Sequence, residues 1–108
     1  MRITKLITAA FLLFANPAAA QNFMSLGAGT QISCGNWLAK RESKQFYSEG
    51  NWALGFLSGA AWMGPASHDP LGKTDSDGVF YWLDKYCQER PTTKFSDALQ
   101  AFYKAHTQ

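Results

Sequence analysis

The segment Asn51–Trp62, NWALGFLSGAAW, has no charged residue and is apolar around the whole circumference of a helix. A helix of this kind lies either inside a membrane or inside a protein. The segment ends near Gly64-Pro65 after about 14 residues, whereas a helix that crosses a bilayer needs about 20. We therefore expect it to be the central core helix of a folded domain. Gly55 and Gly59, four residues apart, leave a flat strip on which another helix can pack closely.

The first twenty residues have the three parts of a secretory signal peptide. Arg2 and Lys5 give a basic start, the apolar run LITAAFLLFA follows, and Ala18 and Ala20 form an A-x-A pattern. The apolar run is too short to cross a bilayer, so an uncleaved N-terminal anchor is the weaker alternative. We expect cleavage after Ala20, which leaves a mature chain of residues 21–108.

Removal of the signal peptide leaves a chain without net charge. Residues 21–108 contain eight Lys/Arg and eight Asp/Glu, scattered along the sequence. No basic stripe remains for nucleic acid or anionic lipid, so we expect neither nucleic-acid binding nor stable membrane insertion. Near pH 2 most carboxyl groups are protonated, and eight Lys/Arg with two His then give a charge near +10. Repulsion at that charge loosens a small fold.

Cys34 and Cys87 are the two cysteines of the chain. An exported protein folds in an oxidising compartment, which favours a disulfide between them. The bond would close a loop of about 53 residues and stabilise the fold by about 4 kcal/mol. A catalytic or redox cysteine is the weaker alternative, because neither residue has the partner of a C-x-x-C motif.

The remaining pattern is helical. Residues 21–33 are small, polar and rich in glycine, and they indicate a flexible N-terminal arm. Good helix formers follow from Cys34, and TDSD at 74–77 is typical of a helix start capped by Thr74 or Asp75. Pro91 ends that helix, and a last amphipathic helix follows. We expect an all-α fold, a single four-helix domain over residues 34–108 in which the disulfide ties the first helix to the third.

No residue pattern indicates a catalytic, metal or cofactor site. TDSDG resembles part of a calcium loop, but Lys73 stands where the first ligand belongs, and a helix cap explains the acids better. His68-Asp69 suggests a base with an orienting carboxylate, yet adjacent residues rarely face each other and no nucleophile is placed beside them. His106 is far from His68 in sequence. We expect no enzyme activity.

The aromatic content is unusual. Residues 21–108 contain six Phe, four Trp and four Tyr. We expect most of these rings in the core, since a small domain needs large buried side chains. The surplus predicts an exposed patch for a protein partner. The candidates for this surface are Trp37, Tyr47, Trp52, Phe56, Trp62, Phe80 and Tyr81.

The order of these features resembles the HdeA/HdeB-like proteins, a family of periplasmic acid-stress chaperones. The motifs are SCGNWLA at the first cysteine, the apolar WALGFLSG, and YCQERPTTKFSDAL, which contains the second cysteine. The resemblance implies a periplasmic all-α protein in which Cys34 and Cys87 correspond to the cysteines of the family. It also implies a homodimer near neutral pH that loosens in acid and holds acid-denatured client proteins.

GFLSG and the downstream helix, cysteine and proline also resemble the Tai-type immunity proteins. That family consists of exported helical proteins that block peptidoglycan amidase toxins. This second resemblance implies a preformed surface that binds a secreted cell-wall enzyme at neutral pH. The two interpretations differ in whether binding requires acid.

Overall fold

The computed structural model of the chain describes residues 25–107. This part contains four α-helices: α1 Cys34–Glu42, α2 Tyr47–Met63, α3 Ser76–Glu89 and α4 Phe95–His106. Short 3-10 turns lie at Ala28–Thr30 and Ala66–His68. Residues 25–107 form no strand, and their β contact is limited to one isolated bridge between Ser33 and Lys94. The predicted all-α, four-helix fold is confirmed. The predicted signal peptide, residues 1–20 with cleavage after Ala20, lies outside the described residues.

The predicted disulfide joins the first residue of α1 to the last turn of α3. The Cα atoms of Cys34 and Cys87 are 4.8 Å apart, and the bond spans 53 residues of sequence. The two helices run antiparallel from this point, because Trp37, three residues after Cys34, hydrogen-bonds Asp84, three residues before Cys87. The bond therefore sets the register in which α1 packs on α3.

Side chains from all four helices form one buried core. Its large, fully buried members include Trp37 of α1, Leu57 of α2, Leu83 of α3, and Phe95 and Phe102 of α4. The other buried apolar residues are Cys34, Ala53, Val79, Phe80, Cys87, Ala98 and Leu99. Helices α3 and α4 supply four residues each to this set of twelve, and α1 and α2 supply two each.

Helix α2 differs from its prediction as the central core helix. Only Ala53 and Leu57 among its apolar side chains are fully buried. Trp62 and Met63, at its last turn, are 86% and 82% exposed. The prediction is wrong because, within residues 25–107, the neighbouring elements contact α2 along one side and one flank and none of them covers its outer side.

Two capped helix starts fix the ends of the core. Ser33 accepts a hydrogen bond from the Asn36 amide, and the Asn36 side chain accepts one from the Ser33 amide, which together form a capping box for α1. Asp75 accepts from the Gly78 amide at 2.8 Å and caps α3, as the TDSD pattern predicts.

The described part of the N-terminal arm, residues 25–33, packs against the helices. The Trp52 indole Nε1 donates to the Leu26 carbonyl at 2.7 Å, and the Phe95 amide donates to the Ile32 carbonyl at 3.0 Å. Between these bonds Gly29 is buried against the Trp52 ring. The arm was expected to be flexible, but contacts with α2 and α4 hold it over these residues.

Candidate protein-binding surface

The structure separates the predicted surface aromatics into three groups. Tyr47, Trp62 and Tyr81 are exposed, Tyr47 to 67% and Tyr81 to 63%. Trp52 and Phe56 are half-buried on one flank of α2, where their rings lie 5.4 Å apart. Trp37 and Phe80 are buried, so their assignment to an exposed patch is wrong for the folded protein.

Trp37 is buried because the disulfide draws α1 against α3 and α4. Its ring stacks on Phe95 of α4, with the ring centres 4.6 Å apart. Phe80 of α3 lies 5.6 Å from it, and Phe46, which precedes α2, lies 6.0 Å from it. This ring cluster joins all four helices, and we call Trp37, Phe46, Phe80 and Phe95 the aromatic cluster.

A single carboxylate closes the aromatic cluster on its α3 side. Asp84 Oδ1 accepts a hydrogen bond from Trp37 Nε1 at 2.9 Å. The Arg41 guanidinium donates to both oxygens of Asp84, with Nη2 2.9 Å from Oδ2 and Nε 3.1 Å from Oδ1. Arg41 also lies over the Phe46 ring at 4.6 Å and the Phe80 ring at 5.4 Å. One charge pair therefore orients a cation over the rings of the core.

This arrangement was not predicted from the sequence, although its signal is present there. Trp37 and Arg41 are four residues apart and lie on one side of α1. If Cys34 faces Cys87 in antiparallel helices, Trp37 must face Asp84. The spacing from the two cysteines was therefore sufficient to pair these residues.

A second ion pair links α1 to α2. Lys40 Nζ lies 3.4 Å from Oε2 of Glu49, which is the one buried charged side chain among the described residues. The other carboxylate oxygen, Oε1, is buried and has no hydrogen-bond partner. Glu49 lies on the same side of α2 as Ala53 and Leu57, so a carboxylate stands at the edge of the core.

The outer face of α2 is free of other elements of the fold. It consists of the exposed residues Tyr47, Asn51, Gly55, Ser58, Gly59 and Trp62. A Cβ atom added at Gly55 or Gly59 would meet no atom within 4 Å. The flat strip predicted from these glycines therefore faces open space, and within residues 25–107 no helix packs on it.

A second exposed feature is a groove between α3 and α4. Trp82 and Tyr86 form its wall, with stacked rings 5.3 Å apart, and Ala101 and Ala105 of α4 line it opposite. The Arg90 guanidinium lies over Tyr86 at 4.3 Å. The groove is a preformed aromatic surface with an ion pair at one end, where Arg90 Nη1 lies 3.2 Å from Glu89 Oε1.

The loop between α2 and α3 brings polar residues together without completing a catalytic set. The Ser67 hydroxyl lies 2.9 Å from His68 Nδ1, a pairing that sequence analysis did not consider. Asp69 Oδ1 accepts instead from the Leu71 amide, and no hydrogen bond joins Asp69 to His68 in the described chain. His68 and His106, distant in sequence, line the same shallow cleft.

Nothing in residues 25–107 is arranged as a metal centre or a membrane span. No three His, Cys, Asp or Glu side chains in that range are grouped to hold a metal ion. None of the helices there combines the length and apolarity needed to cross a bilayer. No protein-family model matches the chain, and the comparisons with curated proteins and with solved structures find no significant similarity.

Proposed function

We propose that the protein is an exported, non-enzymatic binding protein of the periplasm that loosens in acid and holds unfolded client proteins. One observation carries the proposal. Within residues 25–107, each side-chain hydrogen bond or ion pair that joins two helices ends on the carboxylate of Asp84 or Glu49. Strong acid protonates carboxylates. It therefore weakens the side-chain hydrogen bonds and ion pairs that join α1 to α3 and to α2.

The side chains that lie beneath these hydrogen bonds and ion pairs are apolar. Asp84 carries the counter-charge of Arg41, and without that charge the guanidinium lies among rings without its ion pair. Movement of α1 away from that position uncovers the aromatic cluster, the largest group of rings in the core. The disulfide keeps the start of α1 tied to α3, so the opened chain stays compact.

Net charge acts in the same direction. Residues 21–108 are neutral at pH 7 and carry a charge near +10 when their carboxyl groups are protonated. Repulsion among these cations favours an expanded state with exposed apolar surface. Such a state binds other denatured chains through the hydrophobic effect, which acid does not remove.

The first test measures client protection in acid. The oxidised mature protein is mixed with an unrelated acid-sensitive protein, and light scattering is followed on acidification to about pH 3 and on neutralisation. We expect suppressed aggregation, with loss of the near-UV signal of tryptophan over the same pH range. Unchanged scattering together with a native near-UV spectrum would contradict the proposal.

A pair of variants tests whether loss of the Asp84–Arg41 ion pair causes the opening in acid. Asp84→Asn keeps an oxygen for Trp37 but cannot form the ion pair with Arg41. We expect this variant to lose its near-UV signal and to protect the client at milder acidity than the unmodified protein. Glu42→Gln removes an exposed carboxylate from α1, the helix that Asp84 contacts, and is expected to leave the midpoint unchanged. Equal midpoints for Asp84→Asn and the unmodified protein would exclude Asp84 as the acid-sensitive tie.

The second candidate function is inhibition of a secreted cell-wall enzyme at neutral pH. The groove between α3 and α4 favours it, because Trp82 and Tyr86, with the Arg90–Glu89 ion pair at one end, form an aromatic surface that is already present in the folded state. This function requires a tight complex at pH 7. Calorimetric titration of a peptidoglycan amidase at pH 7 distinguishes the two, since the chaperone function predicts no binding of a folded enzyme there.

A further inference from the structure

The groove between α3 and α4 has one aromatic wall and one low wall. Trp82, Tyr86 and Arg90 follow one another at intervals of four residues along α3, and the Arg90 guanidinium covers the end of the row. Ala101 and Ala105, also four residues apart, line the α4 side. Eight helical residues extend about 12 Å, which is therefore the length of the aromatic wall. The groove volume of about 520 Å³ is in the range of ligand-binding sites.

Contacts with the core fix the aromatic wall in place. The Trp82 ring meets the buried Phe102 ring edge-on, with the ring centres 5.3 Å apart, and its centre lies 5.7 Å from that of His106. Tyr86 stacks on Trp82, and the Arg90 guanidinium lies over Tyr86. A ligand therefore meets rings that lose little conformational freedom on binding, which favours binding through a small contact area.

The polar groups of the groove are mainly hydrogen-bond donors. Trp82 Nε1 and the hydroxyls of Tyr81 and Tyr86 form no hydrogen bond with another residue in the range 25–107, and none of these atoms is among the buried unpaired groups there. Lys85 Nζ lies 5.8 Å from the Tyr81 ring centre and forms no ion pair with the same residues. Glu89 is the one carboxylate that the described residues place on the lining, and it is already in an ion pair. The groove therefore suits a ligand rich in acceptors and poor in donors.

A proline-rich peptide has this chemistry. Proline has no backbone N–H, whereas its carbonyl accepts hydrogen bonds, so the peptide presents acceptors without donors of its own. Its polyproline II helix rises about 3.1 Å per residue, and about four residues therefore match the aromatic wall in length. Proline rings pack on aromatic side chains, and the preformed helix loses little entropy when it binds.

Two other classes of ligand match the donors less well. A saccharide presents hydroxyl groups that donate as well as accept, and the one carboxylate on the described lining is already paired. A partner α-helix uses its backbone carbonyls in its own hydrogen bonds, so the indole and phenol donors would stay unpaired beneath it. An extended peptide with free carbonyls is therefore the occupant that the groove fits best.

We propose that the groove between α3 and α4 binds a proline-rich segment of a partner protein, held in the polyproline II conformation. Proline rings pack between the aromatic wall and the alanines of α4, while Trp82 Nε1 and the Tyr86 hydroxyl donate to peptide carbonyls. Lys85 pairs with an acidic residue that flanks the prolines. The site is present in the folded protein at neutral pH and does not depend on client binding in acid. It gives the groove a peptide ligand in place of the folded enzyme of the second candidate function.

Fluorescence anisotropy at pH 7 measures binding of a dye-labelled peptide of eight prolines flanked by two aspartates. We expect saturable binding with a dissociation constant below about 1 mM. A Gly-Ser peptide of the same length and charge should bind at least tenfold more weakly, because it has no preformed helix and no proline rings. Equal binding of the two peptides, or no binding of the proline peptide up to about 1 mM, would overturn the proposal.

Two variants locate the peptide. Trp82→Phe keeps a ring on Phe102 but removes the Nε1 donor, and it should weaken binding about fivefold. Ala105→Gln fills the low wall of the groove from an exposed position, and it should weaken binding at least tenfold. Trp62→Phe and Ser58→Gln place the same side chains at exposed positions of α2 and should leave the affinity unchanged. A cooperative thermal unfolding transition shows that each variant is folded.

Competition with a soluble N-acetylglucosamine oligomer tests the alternative ligand. The oligomer should leave the peptide bound at equal molar concentration. Displacement of the peptide by the oligomer would identify the groove as a saccharide site and contradict the proposal. Unchanged affinity in both groove variants, or an equal loss in the groove variants and the α2 variants, would place the peptide outside the groove and likewise contradict it.

Discussion

At the scale of single residues, Asp84 of α3 makes side-chain hydrogen bonds with two residues of α1. It accepts from the buried Trp37 indole and from both donors of the Arg41 fork. Asp84→Ala leaves an indole N–H without its acceptor and a guanidinium without its counter-charge. Hydrogen bonds to charged groups contribute about 1.5–3 kcal/mol each, so we expect a loss of about 3 kcal/mol in the free energy of unfolding by urea.

Arg41→Lys is the companion substitution at the other end of this pair. Lysine keeps the charge but loses the planar fork that contacts both oxygens and lies over Phe46. We expect it to cost about 1 kcal/mol, less than Asp84→Ala, because the indole keeps its acceptor. Equal stability of Asp84→Ala and the unmodified protein would show that water replaces these contacts without loss.

Alanine substitutions at Gly29 and Gly55 are predicted to change the free energy of unfolding in opposite directions. A Cβ at Gly29 would overlap the Trp52 ring, so Gly29→Ala should lower the free energy of unfolding by about 1–3 kcal/mol. Gly55 is an exposed helix-interior residue with open space around it, and Gly55→Ala should raise the free energy of unfolding by about 0.5–1 kcal/mol. Thermal unfolding at low protein concentration measures both, and a shift of the same sign in both would contradict the assignment of Gly29 to a close contact.

At the scale of elements, local signals in the sequence predict the helices and their ends well. The Asp75 cap and the halt at Pro91 bound α3, and the apolar spacing from Phe95 to Phe102 defines the inward side of α4. These features depend on neighbours within a turn or two. The pairing of Cys34 with Cys87 required only that there be two cysteines and an oxidising compartment.

Burial of individual rings could not be predicted in the same way. The apolar pattern of α2 identifies residues that are able to be buried, but the number and position of its neighbours decide which of them are. Trp62 is exposed because no element within residues 25–107 lies on that side, and Trp37 is buried because the disulfide draws α1 inward. Glu49 shows the converse, since nothing local to its sequence marks it as buried.

The attachment of the N-terminal arm to α2 can be weakened by a single substitution. Trp52→Phe keeps a ring on the flank of α2 but removes the hydrogen bond from Nε1 to the Leu26 carbonyl. We expect a loss of about 1 kcal/mol and faster hydrogen exchange of the Thr30 amide, which donates to Gly27 within the arm.

The Gly78 amide at the start of α3 is the control for this variant. It is hydrogen-bonded to the Asp75 cap, distant in sequence from the arm, and should exchange at an unchanged rate. Equal acceleration at Thr30 and Gly78 would indicate global destabilisation, and would contradict an arm that opens by itself.

At the scale of the whole molecule, the fold depends on one covalent link between its shortest helix and the rest. Helix α1 has nine residues, fewer than an isolated helix needs to be stable in water, so its position depends on the contacts that hold it. Those contacts are the disulfide, the aromatic cluster, backbone hydrogen bonds from its first two residues to the loop between α3 and α4, and the carboxylates of Asp84 and Glu49. Only the carboxylate contacts depend on a side-chain charge.

The double substitution Cys34→Ala with Cys87→Ala removes the covalent link and leaves the carboxylate ties in place. Loss of the 53-residue loop closure should cost about 4 kcal/mol, from a total that is about 5–15 kcal/mol for a domain of ordinary stability. We expect Trp37 to become accessible to a fluorescence quencher at neutral pH, while α4, whose Phe95 and Phe102 pack on several elements, unfolds last. If the variant opens in acid but no longer holds clients, the disulfide is needed to keep the opened chain compact. If Trp37 stays protected at pH 7 without the disulfide, the aromatic cluster and the carboxylates of Asp84 and Glu49 together hold α1 in place, and the dependence of α1 on the covalent link is contradicted.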